Sequence, residues 1–143
     1  MLVAILDDDK NRWAEMERLL QGGSPRSMPQ FFDNAPDMIA WIARHLDDVA
    51  LVSLAHDLGP SRFRDGMLFD PGTGRDVTDF LLEQDRHFPV VVHTTVGPKS
   101  KGMLNLLQRA GWQCVQIEPK DGLEWISTEW IPKVVELVCD LDE

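Results

Sequence analysis

The most constraining feature of this sequence is a series of short apolar runs, each followed by polar residues and then by a segment with helical spacing. The first run, Leu2–Leu6, is uninterrupted and leads into Asp7, Asp8 and Asp9. A second run, residues 49–55, is the most apolar stretch of the chain. Continuous apolar runs of this length are typical of strands that are buried on both faces, as in parallel sheets.

The whole pattern predicts five strands that alternate with five amphipathic helices. The predicted strands are residues 2–6, 28–32, 49–55, 89–92 and 113–117. Such alternation predicts an α/β fold in which right-handed crossovers place helices on both faces of the sheet. We therefore expect a doubly wound, five-stranded parallel sheet with strand order 2-1-3-4-5, the flavodoxin-like arrangement.

One interval does not follow the alternation. Residues 59–74 are dominated by glycine, proline, aspartate and arginine, which predicts a long loop of the kind that often forms a lid or a binding segment. The chain has 143 residues, a length that suits one domain with a single sheet. We expect a single domain over residues 1–143, with this loop as its main irregularity.

Charge and hydropathy exclude several function classes. The net charge of −10 repels a phosphate backbone, so we do not expect nucleic-acid binding. The same charge favours a basic partner protein or a metal ion. No apolar stretch approaches the roughly 18 residues that span a bilayer, and no signal-peptide pattern is present. We expect a cytoplasmic protein without membrane contact, whose Cys114 and Cys139 are reduced thiols.

Acidic residues follow two of the predicted central strands. Asp7 and Asp8 come after the first strand and Asp57 after the third, and in this topology both strands end at the crevice where ligands bind. Clustered carboxylates raise a pKa or recruit a cation, and an oxygen-only ligand set favours Mg²⁺. The alternative is that acids after a strand cap the next helix, which we expect of Asp9.

Two histidines also stand at strand ends. His56 follows the third strand and His93 the fourth, and these strands are neighbours in the expected sheet. A pair of imidazoles can act as general acid and base in cleaving a phosphate ester. The alternative is that each ring only satisfies hydrogen bonds at its strand end.

These segments resemble the receiver domains of bacterial response regulators over nearly the whole chain. Asp7 and Asp8 match the metal-binding acidic pair, Thr94 matches the hydroxyl residue after the fourth strand, and residues 110–111 match the small pair that ends a helix. Closer still is the cyclic-phosphate-processing branch of receivers. The matching segments are His56-Asp57-Leu58-Gly59, His93-Thr94 and residues 72–77.

The departures from the receiver pattern concern its phosphorylation chemistry. Ala55 stands where receivers have the phosphorylated aspartate, and a methyl group cannot attack phosphorus. The lysine that receivers place before a proline after the fifth strand is also absent, since Glu118 precedes Pro119 here. The resemblance further leads us to expect a cis bond here, as the corresponding bond often is in receivers. Lys99, Lys101 or Lys120 could replace the missing cation from a loop; the alternative is that these flexible lysines are only solvated.

Three functions remain open at this point. The first is a divergent receiver that binds Mg²⁺ through Asp7, Asp8 and Asp57, or a phosphate-bearing ligand, without regular aspartyl phosphorylation. The second is a phosphoesterase for cyclic phosphates, and the third is a structural domain with a relic pocket. The ligand-binding candidates are Asp57, Thr94, Thr95 and Lys99. A protein partner or a homodimer through the last two helices is also expected, provided that Trp125 or Trp130 is exposed.

Overall fold

The computed structural model describes residues 1–139, which form a central sheet with helices on both faces. The strands are β1 (Leu2–Leu6), β2 (Met28–Phe32), β3 (Val49–Leu54), β4 (Arg62–Arg64), β5 (Met67–Phe69), β6 (Val90–Val92) and β7 (Cys114–Gln116). The helices are α1 (Lys10–Gly23), α2 (Ala35–His45), α3 (Gly74–Leu82), α4 (Pro98–Arg109) and α5 (Ile131–Cys139). None of these helices is both long enough and apolar enough to span a membrane.

The main sheet confirms the predicted fold. Its order is β2-β1-β3-β6-β7, and every neighbouring pair is parallel. Without the two short strands β4 and β5, this is the predicted order 2-1-3-4-5. All six side chains of β3 are buried, as expected for the central strand of a sheet covered on both faces.

Alternate side chains of each strand contribute to two separate hydrophobic cores. Ala4, Leu6, Val52 and Leu54 pack with α2, α3 and α4, whereas Val3, Ile5, Leu51 and Val91 pack with α1 and α5. This division follows from the period of two along a strand. A polar residue in an odd-numbered position at the end of β1, β3 or β6 therefore faces α1 and α5.

The predicted long loop at residues 59–74 contains an antiparallel hairpin, so the prediction of an irregular segment is wrong there. Strands β4 and β5 pair through Phe63 and Leu68, and a two-residue turn at Asp65 and Gly66 joins them. Both turn residues have positive φ, 54° and 80°, as a type I′ turn requires. Asp-Gly between two short segments that contain Phe63 and Leu68 is a strong hairpin signal, which the loop-like composition of the surrounding residues obscured.

The last helix also differs from its prediction over residues 125–141. A π-helical segment, Ile126–Trp130, precedes α5, which is described as far as Cys139. Residues 140 and 141 lie outside the described residues. No peptide bond within the described residues is cis. The bond between Glu118 and Pro119 is therefore trans, and the cis expectation is wrong.

Side-chain caps fix the helix starts near the strand ends. Asp9 accepts hydrogen bonds from the backbone N–H groups of Asn11 and Arg12, which confirms its predicted capping role. Thr73 and Asp76 form a capping box at the start of α3. Gly74 is needed there, because a Cβ would lie 2.0 Å from the Ala55 carbonyl oxygen. These caps hold α1 and α3 against the ends of β1 and β3.

Candidate functional site

Three polar residues meet at the ends of the central strands, on the side that faces α1 and α5. Asp7, Ser53 and His93 occupy odd positions of β1, β3 and β6 or directly follow them, and each residue is fully buried. They continue the rows of apolar side chains on that face, so the alternation of each strand points all three inward. The fold thus brings together residues that lie 86 positions apart in sequence.

Asp7 is the most heavily engaged carboxylate of the site. Its Oδ1 accepts a hydrogen bond of 2.8 Å from the N–H of Asp9. Its Oδ2 lies 3.1 Å from Nη1 of Arg12 and 3.0 Å from Nε2 of His93. Burial by itself raises the pKa of Asp7, but the contacts with His93, Asp9 and Arg12 outweigh it and bring the pKa below its ordinary value.

A chain of hydrogen bonds continues from Asp7 into the core. Nδ1 of His93 lies 2.6 Å from Oγ of Ser53, and Nε1 of Trp130 donates to the same oxygen at 3.0 Å. The ring can donate through Nε2 to Asp7, and Oγ of Ser53 stands between Nδ1 of His93 and the indole N–H of Trp130. Both nitrogens of His93 are therefore engaged, and neither is free for a ligand.

Tryptophan rings form the wall behind this chain. The guanidinium of Arg12 lies 5.2 Å from the ring centroid of Trp125, and His93 stacks on the same ring at 6.2 Å. Trp125 is 2% exposed and Trp130 is 0% exposed. An interface through the last two helices was expected only if one of these two tryptophans were exposed. Both rings are core residues, so that condition is not met.

The cavity outside this chain has a volume of about 190 Å³. It is lined by Asp7, Asp8, Arg12, Ala55, Asp57, His93, Thr94, Thr95 and Pro119. Most of the residues that the sequence placed at one hollow are therefore neighbours here. His56 is not part of this lining, and Lys99 reaches it only through its contact with Asp57.

Asp8 and Asp57 have opposite electrostatic surroundings in this cavity. Burial and the charge of Asp7 raise the pKa of Asp8, which forms no ion pair within residues 1–139. Asp57 contacts Nδ1 of His56 at 2.8 Å and Nζ of Lys99 at 3.4 Å. The hydrogen bond with His56, followed by the contact with Lys99, lowers the pKa of Asp57. The unbalanced negative charge of the site therefore lies at Asp8.

Receiver domains generally bind Mg²⁺ at an acidic pocket, and the donor set of this chain can be tested against that ion. Both carboxylate oxygens of Asp7 already accept hydrogen bonds, and Arg12 holds a positive charge beside one of them. The side chain of Asp57 is 75% exposed and is paired with His56 and Lys99. Within residues 1–139 no three metal-ligating side chains converge on one point. In this arrangement the residues do not fit a Mg²⁺ ion, because Arg12 would have to leave Asp7 first.

Four residues of the site escaped the sequence prediction. Arg12, Ser53, Trp125 and Trp130 were not assigned to the pocket, although Ser53 carried a usable signal as the one hydroxyl within the apolar β3. A buried hydroxyl in a central strand needs a hydrogen-bond partner, which implies a polar cluster nearby. Nothing in the sequence spacing identified the tryptophans as its partners.

Solved structures with similar folds include receiver domains and a two-component response regulator. A response regulator receiver domain from Rhodospirillum rubrum has a TM-score of 0.68 at 15% identity, covering 94% of this chain and 91% of that one. A two-component response regulator from Clostridium difficile has a TM-score of 0.57 at 15% identity, covering 93% and 96%. A CheY-like receiver domain protein from Methanospirillum hungatei JF-1 has a TM-score of 0.58 at 11% identity, covering 97% and 96%. These likenesses establish the fold.

Comparison at the level of sequence is more specific. No curated protein sequence matches the chain. The family model of the cyclic-phosphate processing receiver domain matches residues 3–109, which include both strand-end motifs and the hairpin. This chain therefore belongs to the cyclic-phosphate processing receiver domain family.

Proposed function

We propose that this chain is a receiver-family signalling module that works without phosphorylation of an aspartate. The observation that carries the proposal is Ala55, which directly follows β3 and lines the cavity beside Asp7 and Asp8. A methyl group at this position provides no nucleophile for phosphoryl transfer. The N–H of Ala55 bonds the carbonyl of Leu6, so the strand end itself keeps its regular pairing with β1.

The neighbouring Asp57 is a poor substitute for the missing nucleophile. Its carboxylate is 75% exposed and is shared between His56 and Lys99, whereas Asp7 is 1% exposed. An in-line attack needs a carboxylate that is held beside the groups that bind the phosphoryl oxygens. The Asp57 carboxylate instead lies at the exposed rim of the cavity, where it contacts Lys99 at 3.4 Å.

The contacts of Asp7 support a signalling module whose pocket keeps one arrangement of side chains. Arg12 neutralises Asp7, and the chain through His93 and Ser53 ties that carboxylate to Trp130. In the absence of a phosphoryl group, signalling then depends on what binds the surface of the domain. Binding of a phosphate-bearing ligand by Asp57, Thr94, Thr95 and Lys99 stays a prediction, and the unbalanced negative charge of Asp8 in the same cavity opposes an anion.

Cleavage of a cyclic phosphate by His56 and His93 also stays a prediction, but the contacts of His93 weigh against it. A general acid or base must lie within hydrogen-bond reach of the proton that it transfers. Both ring nitrogens of His93 are engaged by protein groups, and the side chain is 0% exposed. The ring would have to break its bond to Asp7 or Ser53 before it reached a substrate.

The test of the proposal is incubation with acetyl phosphate and Mg²⁺, followed by measurement of the intact mass at neutral pH. We expect no phosphoryl adduct on the wild-type chain, under conditions in which a receiver with an aspartate at this position is modified. An adduct that is present on the wild-type protein and absent from the Asp57→Asn variant would overturn the proposal, because it would identify Asp57 as the acceptor.

A further inference from the structure

The hairpin of β4 and β5 gathers most of the exposed apolar side chains of the described residues. Five large hydrophobic residues are exposed within the described part of the chain. Three of them belong to this hairpin: Phe63 at 78%, Met67 at 74% and Leu68 at 70%. Phe63 and Leu68 stand opposite each other in the two strands and so share one face of the hairpin, whereas Met67 pairs with Arg64 on the other face. Isolated exposed apolar residues are ordinary on protein surfaces, but an exposed cross-strand pair of this kind marks an interaction site. Phe63 and Leu68 are called the hairpin patch below.

The opposite face of the hairpin is anchored to the rest of the domain. Arg62 donates to Asp33 at 2.9 Å and Arg64 donates to Asp37 at 3.2 Å, so two ion pairs hold the hairpin against the start of α2. Both guanidinium groups also lie over the ring of Phe69, at 5.5 Å and 4.7 Å from its centroid. The face that carries Arg62, Arg64 and Phe69 is therefore tied to the domain, whereas Phe63 and Leu68 on the other face are exposed.

The backbone of the same residues is available for pairing. In a hairpin closed by a two-residue turn, the pair next to the turn exchanges hydrogen bonds and the following pair does not. That following pair is Phe63 and Leu68, whose N–H and C=O groups point away from each other toward the two edges of the ribbon. No backbone hydrogen bond outside the strands involves either residue. An extended segment could therefore add to the edge, as in other cases of strand addition.

A second copy of the chain is a poor occupant of this edge. Each copy carries a net charge of −10, so two copies repel each other. Two side chains also supply only on the order of a few hundred Å² of apolar surface, against roughly 800 Å² per partner in a standard stable interface. Asp65 in the turn of the hairpin and Asp70 directly after β5 form no ion pair within the described residues, unlike Asp33 and Asp37, and they favour positive charge in the partner.

We propose that the hairpin patch docks an extended, apolar segment flanked by lysine or arginine in a partner protein, which adds as a strand to the edge of β4 or β5. Receiver domains commonly bind protein partners, and this proposal names the surface and the class of partner. It extends the proposed function, but the two are tested separately, because a phosphoryl adduct on Asp57 would leave binding at the hairpin unaffected.

The test is selection of random short peptides displayed on phage, with the wild-type chain as target and the Phe63→Ser, Leu68→Ser double variant as counter-target. The variant changes only exposed side chains, and circular dichroism checks that it folds. A Met28→Ser variant is the matched control, because Met28 is also an exposed apolar residue, at 61%, but lies on β2. We expect peptides with alternating apolar residues and basic flanks, which bind wild type and Met28→Ser at least tenfold more tightly than the double variant.

Three results would overturn the proposal. One is the absence of any peptide that prefers the wild-type hairpin, and another is enrichment of acidic peptides or of peptides with helical apolar spacing. The third is a dimer in sedimentation velocity that disappears in the double variant, since the occupant would then be a second copy. For a selected peptide, proline at a position that pairs with the edge should abolish binding, because proline cannot donate to a strand ladder.

Discussion

Replacing Ser53 by alanine removes the hydroxyl that joins His93 to Trp130 in the buried chain. The substitution leaves the apolar surroundings nearly unchanged in volume, but it deprives two polar groups of their partner. These groups are the indole N–H of Trp130 at 3.0 Å and Nδ1 of His93 at 2.6 Å. Because Ser53 is 0% exposed, water does not replace the hydroxyl without a rearrangement of the core.

The magnitude follows from the number of groups that lose their partner. A buried polar group left without a hydrogen bond costs about 1–3 kcal/mol, so two such groups predict a loss of about 2–6 kcal/mol in the free energy of unfolding. That loss is a large fraction of the roughly 5–15 kcal/mol that stabilises a typical domain. We expect a clear fall in the urea midpoint with an unchanged dependence on urea concentration.

The assay is urea unfolding followed by circular dichroism, with Ser61→Ala as the matched control. Ser61 is exposed, so its replacement should change the free energy of unfolding by less than about 0.5 kcal/mol. A double-mutant cycle with Trp130→Phe separates the hydrogen bond from the packing of the indole. We expect a coupling energy of about 1 kcal/mol between the two sites, because they share one hydrogen bond.

Two results would refute this reasoning. If Ser53→Ala were no more destabilising than Ser61→Ala, the hydroxyl would not be an essential partner of His93 and Trp130. If the Ser53 and Trp130 substitutions were additive, the two side chains would not be coupled. The first result would also weaken the argument that His93 is fully engaged and therefore unsuited to acid–base catalysis.

Three further predictions concern charge and thiol chemistry. Arg12→Ala frees Asp7, so we expect Mg²⁺ to raise the melting temperature of this variant and not of wild type; an equal rise in both proteins would contradict the role of Arg12. The folded-state pKa of Asp8 is raised, so its charged form is unfavourable in the folded state. Asp8→Asn should therefore raise the urea midpoint at pH 7, and this advantage should shrink as the pH falls through the folded-state pKa of Asp8. An advantage that is constant with pH would show that charge is not its cause. Burial raises the pKa of Cys114 to about 12, so iodoacetamide at mildly alkaline pH should label only the exposed Cys139 in native protein and both thiols in denaturant, as counted by intact mass.

The sequence alone determined the central architecture of this protein. Apolar runs such as Leu2–Leu6 have no polar face, and only a sheet covered on both sides buries them completely. The same patterns placed Asp7 and His93 at strand ends, where parallel strands of one sheet share an edge. Local patterns suffice for these features because strand periodicity and chain direction are local properties.

The hairpin at β4 and β5 was also determined locally, although its composition concealed it. Asp65 and Gly66 supply the two positive φ angles of the turn, and they stand between short segments that contain Phe63 and Leu68. The surrounding glycine and proline residues favoured a loop. A two-residue turn signal within such a segment therefore carries more weight than the average composition does.

Only the tertiary structure decided the state of the pocket. Sequence placed Asp7 beside a crevice and predicted a metal ligand, but the packing of α1 directs Arg12 onto that carboxylate at 3.1 Å. The π-helical segment likewise carries Trp130 to Ser53, which is 77 positions away in sequence. Such contacts depend on how helices pack across a sheet and on which rotamers that packing permits, and no local pattern encodes either.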